Sequence, residues 1–144
     1  MEAIELRLGN YVMANGNLFI VNSICYEPMF RKFHITVVKK LGDIPSALVG
    51  FEPSPIPLTE ELLLSCGFIE DDAFAYLSNE EDSQYPVFKH NGFALLLKEG
   101  AFYVYEECDE DCWYNYYWHE IKYLHKLQNY VYETQDEELP INLT

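Results

Sequence analysis

A chain of 144 residues is long enough to form one domain with a buried core. Its residues are 49% apolar and 16% aromatic, with 7 glycines and 7 prolines, which excludes a disordered or low-complexity protein. No apolar run approaches the ~18 residues of a membrane-spanning helix. The first residues, MEAIELRLGNYV, contain no apolar signal core, so we expect a cytoplasmic protein.

The net charge of −15 is distributed unevenly along the chain. Residues 1–57 carry five acidic and five basic side chains, whereas residues 58–144 carry nineteen acidic side chains and four lysines. Direct binding to duplex nucleic acid requires clustered lysine and arginine, which this composition lacks. An acidic surface instead favours a partner with a basic surface.

The first elements predicted are short antiparallel strands within residues 1–52. Asn15-Gly16 separates two apolar runs and predicts a two-residue hairpin turn between strands near residues 10–14 and 17–25. Residues 33–41 alternate and are rich in β-branched side chains, which indicates a third strand, and ALVGF is a weaker fourth. Together they suggest a small curled sheet, SH3-like in arrangement.

A proline-rich linker follows over residues 53–58, and a short helix follows the linker. Thr59 is placed to cap the helix, and Glu60 and Glu61 lie in its first turn, where they meet the positive end of the helix dipole. Gly67 predicts where the helix ends. An apolar helix of this kind typically packs against a sheet.

The next segment predicts a β-meander, with tight turns at Asn91-Gly92 and Glu99-Gly100. The candidate strands are residues 73–77, 87–89, 93–97 and 101–106. The segment EIKYLHKLQNYVYETQ then predicts an amphipathic helix. Its apolar stripe comprises Ile121, Leu124, Leu127, Gln128 and Val131. The tail DEELPINLT has a short apolar end suited to an edge strand. The sequence thus predicts one α+β domain over residues 1–144, and the acidic part of this domain spans residues 59–144.

Three stretches in this order, ELRLGNYV, PIPLTEELLLSCGF and IKYLHKLQNYVYE with EELPI, resemble a family of small uncharacterised proteins. The family occurs in phages, prophages and other mobile elements of Bacteroidetes-type bacteria. The resemblance covers most of the chain but not EECDEDCWYNYYW. It implies an accessory protein of a phage or mobile element, acting in the host cytoplasm. It supplies no activity and no catalytic residue.

Cysteine and histidine near the acidic segment raise the question of a metal site. Cys108, Cys112, His119 and His125 have the spacing C-x3-C-x6-H-x5-H, whereas a two-Cys, two-His zinc finger usually leaves about 12 residues in the middle gap. A calcium loop starting at Asp109 would place an aromatic residue at position 6, where glycine is required. We therefore predict no metal and no cofactor. Cys25 and Cys66 lie in apolar contexts and are predicted to be buried.

Enzyme motifs are missing from the sequence. It contains no glycine-rich phosphate loop, no G-x-S-x-G and no H-E-x-x-H. Acidic neighbours disfavour a reactive thiolate at Cys108 or Cys112. His119 and His125 would face different sides of a helix. These observations predict a protein that is not an enzyme.

The segment EECDEDCWYNYYWHE carries the candidate partner-binding residues. Its acidic members are Glu106, Glu107, Asp109, Glu110 and Asp111, and its aromatic members are Trp113, Tyr114, Tyr116, Tyr117 and Trp118. Strand alternation would place Tyr114, Tyr116 and Trp118 on one face, and Trp113, Asn115 and Tyr117 on the other. Aromatic residues on both faces indicate either an interface or a wholly buried central strand.

The leading hypothesis is an accessory protein that binds a basic groove of a host protein, with counter-defence as one setting. A second hypothesis is a module that sequesters a small ligand or nucleotide. In it, aromatic rings stack on bases, and Lys122, Lys126 or residues of the N-terminal sheet meet phosphate. A third is a homo-oligomer formed through the aromatic face.

Overall fold

The structure, a computed structural model, describes residues 5–40, 42–47, 53–71, 84–109 and 112–142, with the backbone alone at 106–109 and 112–118. In this part of the chain, two antiparallel sheets and two helices form an α+β fold, as the sequence predicts. Two compact units are present. The first comprises Met1–Pro57 and Tyr123–Glu138, and the second comprises Leu58–Lys122 and Leu139–Thr144.

The sheet of the first unit is a meander of four strands in the order β1-β2-β3-β4. Its strands are β1 (Tyr11–Ala14), β2 (Asn17–Glu27), β3 (Lys32–Val38) and β4 (Ser46–Ala47). Asn15 and Gly16 have φ of 51° and 73° and join β1 to β2, so the predicted hairpin is confirmed. Buried Leu6, Val12, Val21 and Val37 form the core on this sheet.

Beyond this core, β2 and β3 continue as a two-stranded extension, which we call the ribbon arm (residues 24–35). β1 pairs with β2 only as far as Ile20, and β4 pairs with β3 only at Thr36 and Val37. In the described part of the chain, the arm therefore has no neighbouring strand on either edge. Cys25 lies in this arm and is exposed, so the prediction that it is buried is wrong. The reason is that the described strands β1 and β4 end before they reach this part of β2 and β3.

The chain that follows β4 returns to β1. Ser54 and Met13 exchange two backbone hydrogen bonds, of 3.0 Å from the Met13 N–H and 2.8 Å from the Ser54 N–H. A connection from the end of the meander back to its first strand is what an SH3-like closure requires. Among the described residues this connection is a single bridge and not a fifth strand.

The second helix, α2 (Leu124–Gln135), lies against β1 in the first unit. Its buried residues are Leu124, His125, Leu127, Gln128 and Val131, which matches most of the predicted stripe. The helix begins later than the sequence predicts, because Glu120 and Ile121 pair with Tyr103 and Phe102 as the end of a strand. His119 therefore lies in a strand and not on the helix.

The second unit contains α1 (Glu60–Ser65) and a meander of five strands in the order β5-β6-β7-β8-β9. These strands are β5 (Ile69–Asp71), β6 (Val87–His90), β7 (Phe93–Lys98), β8 (Ala101–Asp109) and β9 (Cys112–Ile121). The Thr59 hydroxyl accepts a hydrogen bond of 3.2 Å from the Leu62 N–H, which confirms the predicted cap. Asn91-Gly92 and Glu99-Gly100 form the predicted turns with positive φ.

Two predicted strands, residues 73–77 and the tail, are not among the strands of the described residues. Residues 73–77 lie outside the described residues. The tail forms no strand over residues 137–142, where the Asn142 N–H instead donates a 3.4 Å hydrogen bond to the Ser65 carbonyl. The short strand β5 was not predicted, because its three residues IED show no apolar alternation.

Candidate functional site

The predicted partner-binding residues lie on the β8–β9 hairpin. Opposite positions across the two strands are Glu107 and Trp113, Glu106 and Tyr114, Tyr105 and Asn115, and Val104 and Tyr116. Asp109 lies opposite Cys112, and Glu110 and Asp111 lie outside the described residues. Acidic and aromatic positions are therefore brought together across the same two strands.

The strand that carries the aromatic residues is the last strand of its sheet. In the described part of the chain β8 alone pairs with β9, so β9 is an edge strand and not the central strand of the alternative interpretation. Val104 and Tyr105 of β8 are both buried, although they point to opposite faces. Both faces of the sheet are therefore covered at these two positions of β8.

The pairing of β8 with β9 is interrupted after Tyr116. Val104 lies opposite Tyr116, but the preceding residue Tyr103 lies opposite Glu120. The three residues from Tyr117 to His119 thus have no counterpart in β8. Irregularities of this kind re-aim the side chains of an edge strand. The predicted alternation of faces as far as Trp118 stays a prediction, and beyond Tyr116 no continuous pairing with β8 supports it.

The negative charge is concentrated in the second unit. Its segments contain fifteen acidic residues and three lysines, whereas Met1–Pro57 contains five of each sign. The remaining segment of the first unit, Tyr123–Glu138, adds four acidic residues and one lysine. The second unit therefore carries a net charge of −12 and the first unit one of −3, so the negative field is concentrated on the second unit.

The lysines that the sequence assigned to a phosphate lie close to carboxylates. Lys122 Nζ is 3.1 Å from Glu120 Oε2, and Lys126 Nζ is 2.9 Å from Glu5 Oε1. Each lysine ammonium thus already forms an ion pair with a glutamate. This arrangement weighs against nucleotide sequestration through these two residues.

A buried polar junction, which the sequence did not reveal, joins the N-terminal segment to α2. Asn10 is fully buried, its Oδ1 accepts a 2.7 Å hydrogen bond from the Arg7 N–H, and its Nδ2 donates to Asn129 Oδ1 at 2.9 Å. Asn129 Nδ2 in turn donates to the Glu5 carbonyl at 2.9 Å. We call Asn10, Gln128 and Asn129, with Arg7, the polar junction.

Gln128 completes the polar junction from within the apolar stripe of α2. Its Oε1 accepts a 2.9 Å hydrogen bond from the Tyr11 N–H, and its Nε2 donates to the Gly9 carbonyl at 3.2 Å. These bonds satisfy backbone groups at the start of β1, which would otherwise be costly to bury. The junction therefore has a structural role, and the one sequence signal for it was a glutamine at an apolar position of the helix.

An ion pair closes the junction at its outer side. Arg7 Nη1 and Nη2 donate to the two carboxylate oxygens of Glu138 at 2.6 and 2.9 Å, and its guanidinium lies 4.1 Å from the centre of the Tyr132 ring. The hydrogen bond from Arg7 holds the pKa of the Glu138 carboxyl below its usual range. Residues of ELRLGNYV, LQNYVYE and EELPI therefore meet at one place.

His125 is the buried titratable group of the first unit. Its side chain is 1% exposed, and neither ring nitrogen has a hydrogen-bond partner among the described residues. Its ring stacks on that of Tyr123, with 5.9 Å between centroids. Burial, aided by the nearby Lys126 charge, lowers the pKa of His125 to about 4. His125 is therefore neutral near pH 7.

The potential metal ligands differ in exposure. His119 is exposed and His125 is buried, and the side chains of Cys108 and Cys112 lie outside what the structure describes. Where side chains are described, no three of the residue types His, Cys, Asp and Glu come together in a way that would hold a metal. Burial raises the pKa of the Cys66 thiol to about 11, which keeps this cysteine unreactive.

A comparison with protein-family models finds no match, and comparisons with curated proteins and with solved structures find no significant similarity. None of the helices in the described segments has the length and apolar character needed to span a bilayer.

Proposed function

We propose that the protein is a non-enzymatic accessory protein of a phage or mobile element that acts by binding a host protein. In this proposal the acidic second unit occupies a basic groove of its partner, with the β8–β9 hairpin at the contact. Inactivation of a host defence protein is one setting for such binding. The observation that carries the proposal is the charge of the second unit, which contains fifteen acidic residues and only three lysines.

Such a charge distribution favours binding to a basic groove for a physical reason. A one-sided field steers an oppositely charged partner into contact and raises the rate of association. Because the Debye length shrinks to about 8 Å at 0.15 M salt, this attraction weakens as salt increases. Binding that depends on the acidic unit should therefore be fast and strongly salt-dependent.

The test is affinity purification from host lysate at 0.05 and 0.5 M salt, followed by calorimetry with the purified partner. We expect a basic protein that elutes at high salt, and we expect Trp113→Ala or Tyr117→Ala to weaken its binding at least tenfold. Glu133→Gln, which removes one acidic charge from the first unit, serves as the matched control. Binding that is unchanged by the aromatic substitutions and by salt would contradict the proposal.

A further inference from the structure

The ribbon arm exposes an unusual amount of apolar surface. Met29 is 83% exposed and Phe30 is 61% exposed at its tip, and Tyr26 and Phe33 are also exposed. Solvent contact with apolar surface costs about 25 cal/mol per Å², so contiguous exposed apolar residues typically mark a binding surface. These four side chains belong to one hairpin of twelve residues. The arm therefore has the composition of a docking element.

Contacts within the chain hold the arm in its hairpin conformation. Tyr26 and Phe33 lie opposite each other, and their ring centroids are 5.1 Å apart. At the tip, the Phe30 N–H donates to the Glu27 carbonyl at 3.2 Å, and Arg31 adopts a φ of 50° to complete the turn. A preformed element loses little conformational entropy on binding.

The tip of the arm is also positively charged. Arg31 and Lys32 are both exposed there. Within residues 24–35 the one acidic residue is Glu27, and its Oε2 lies 2.6 Å from Nε2 of His34. The arm thus presents exposed apolar side chains together with two cationic groups, and this combination fits an acidic surface that is itself partly apolar.

The second unit of this chain carries a surface of that kind. Glu60, Glu61 and Leu64 are exposed and share one face of α1, because they are three or four positions apart. On β5, which follows closely in the chain, Ile69 is 71% exposed and Glu70 is exposed. We call these five residues, which lie within eleven positions of the chain, the α1–β5 surface. As successive residues of the edge strand β5, Ile69 and Glu70 point to opposite faces of the sheet. It pairs apolar side chains with negative charge, as the arm pairs them with positive charge.

We propose that the ribbon arm docks on the α1–β5 surface of a second copy of the chain. When each copy offers its arm to the other, two identical contacts close a two-fold dimer. Local charge complementarity favours this occupant, because Arg31 and Lys32 are exposed on the arm and the α1–β5 surface carries exposed glutamates. The proposal is independent of the host partner, since it uses neither the β8–β9 hairpin nor a basic groove.

The first test is the mass of the full chain in solution, measured by sedimentation equilibrium from 1 to 100 µM at 0.05 and 0.5 M salt. We expect a dimer within this concentration range. Salt weakens both the local attraction of the arm and the repulsion between two chains of net charge −15, so both salt concentrations are compared. Met29→Ser with Phe30→Ser should give a monomer. Ile44→Ser, which removes a 91% exposed apolar side chain outside the arm, should leave the dimer intact, as should Trp113→Ala.

Charge exchange gives a second test that does not depend on apolar truncation. Arg31→Glu with Lys32→Glu makes the arm acidic, and Glu60→Lys with Glu70→Lys makes the α1–β5 surface basic. Each double variant should be monomeric alone, because like charges then meet at both contacts. A mixture of the two should form a 1:1 dimer, in which both contacts are complementary again.

Three results would overturn the proposal. The first is a monomer throughout the concentration range at both salt concentrations. The second is a dimer that persists when the arm is acidic. The third is a monomer that binds a single-stranded oligonucleotide through Arg31 and Lys32. Circular dichroism of each variant establishes that it is folded, and recovery of the dimer in the mixture cannot arise from unfolded chains.

Discussion

Replacing the buried His125 by leucine should remove a pH-dependent penalty on the stability of the first unit. The imidazole has an ordinary pKa of 6.5 when the chain is unfolded, and burial lowers this pKa to about 4 in the folded protein. Between these two values the unfolded chain binds the proton more tightly. Protonation therefore favours unfolding as the pH falls from 6.5 towards 4.

The size of the effect follows from the two pKa values. One unit of pKa shift corresponds to about 1.36 kcal/mol, so wild type should lose about 1.4 kcal/mol by pH 5.5 and about 2.5 kcal/mol by pH 4.5 through this group alone. The contribution of neutral His125 is fully present above pH 6.5. Leucine has no proton to bind, so the variant should lack this loss.

The assay is equilibrium urea unfolding of wild type and His125→Leu at pH 7.0, 5.5 and 4.5. The quantity of interest is the wild type's free energy of unfolding minus that of the variant, because carboxylates shared by both proteins then cancel. This difference should fall by about 2.5 kcal/mol between pH 7.0 and 4.5. His34→Gln, which removes an exposed imidazole, is the control for losing a histidine. A difference that stays constant with pH would refute the assignment of His125 as a buried, neutral group.

Three further predictions concern stability, each measured by urea unfolding at pH 7. Asn10→Ala should cost about 1–3 kcal/mol, because it leaves the Arg7 N–H and the Asn129 amide without their buried partner. Glu138→Gln should cost less than about 1 kcal/mol, since the ion pair with Arg7 is partly exposed, and this loss should disappear as the pH falls below the ordinary pKa of a glutamate. Thr59→Ala should cost about 1 kcal/mol by removing the cap of α1, and Thr59→Ser should restore most of it. If Asn10→Ala left the free energy of unfolding unchanged, the polar junction would not hold β1 to α2.

The turns of the fold could be predicted because they depend on local chemistry. Asn15-Gly16, Asn91-Gly92 and Glu99-Gly100 each require positive φ at two successive residues, and such dipeptides reveal this in the sequence itself. The cap at Thr59 is local in the same sense. Elements defined by contacts within three or four residues were therefore predicted closely.

The errors arose where a distant partner decides the structure. Ile121 continues the apolar stripe of α2 in sequence, but Phe102 of β8 draws it into a strand. Cys25 lies in an apolar run, yet whether a strand covers that run depends on how far β1 and β4 extend. The irregularity after Tyr116 depends on how β9 pairs with β8, and the sequence of β9 alone does not specify this pairing. Gln128 is likewise explained by backbone groups that lie far away in the sequence.

The polar junction gives a structural role to polar residues of the N-terminal segment and of α2. Arg7, Asn10, Gln128, Asn129 and Glu138 each contribute to the bonds between the N-terminal segment, α2 and the segment after it. Because a half-satisfied buried polar network is costly, these residues are explained by the fold. Binding is better sought in segments outside the junction, such as the ribbon arm and the β8–β9 hairpin.

Removing the ribbon arm separates folding from association. Ile24 and Ile35 lie opposite each other at the base of the arm and pack on the core of the first unit, so residues 25–34 can be replaced by Asn-Gly. This dipeptide already closes the β1–β2 hairpin in the same sheet. The shortened chain should unfold cooperatively in urea, with a stability near that of wild type, and should sediment as a monomer. A shortened chain that remains a dimer would show that the arm does not mediate association, whereas loss of cooperative unfolding would show that the arm is part of the core.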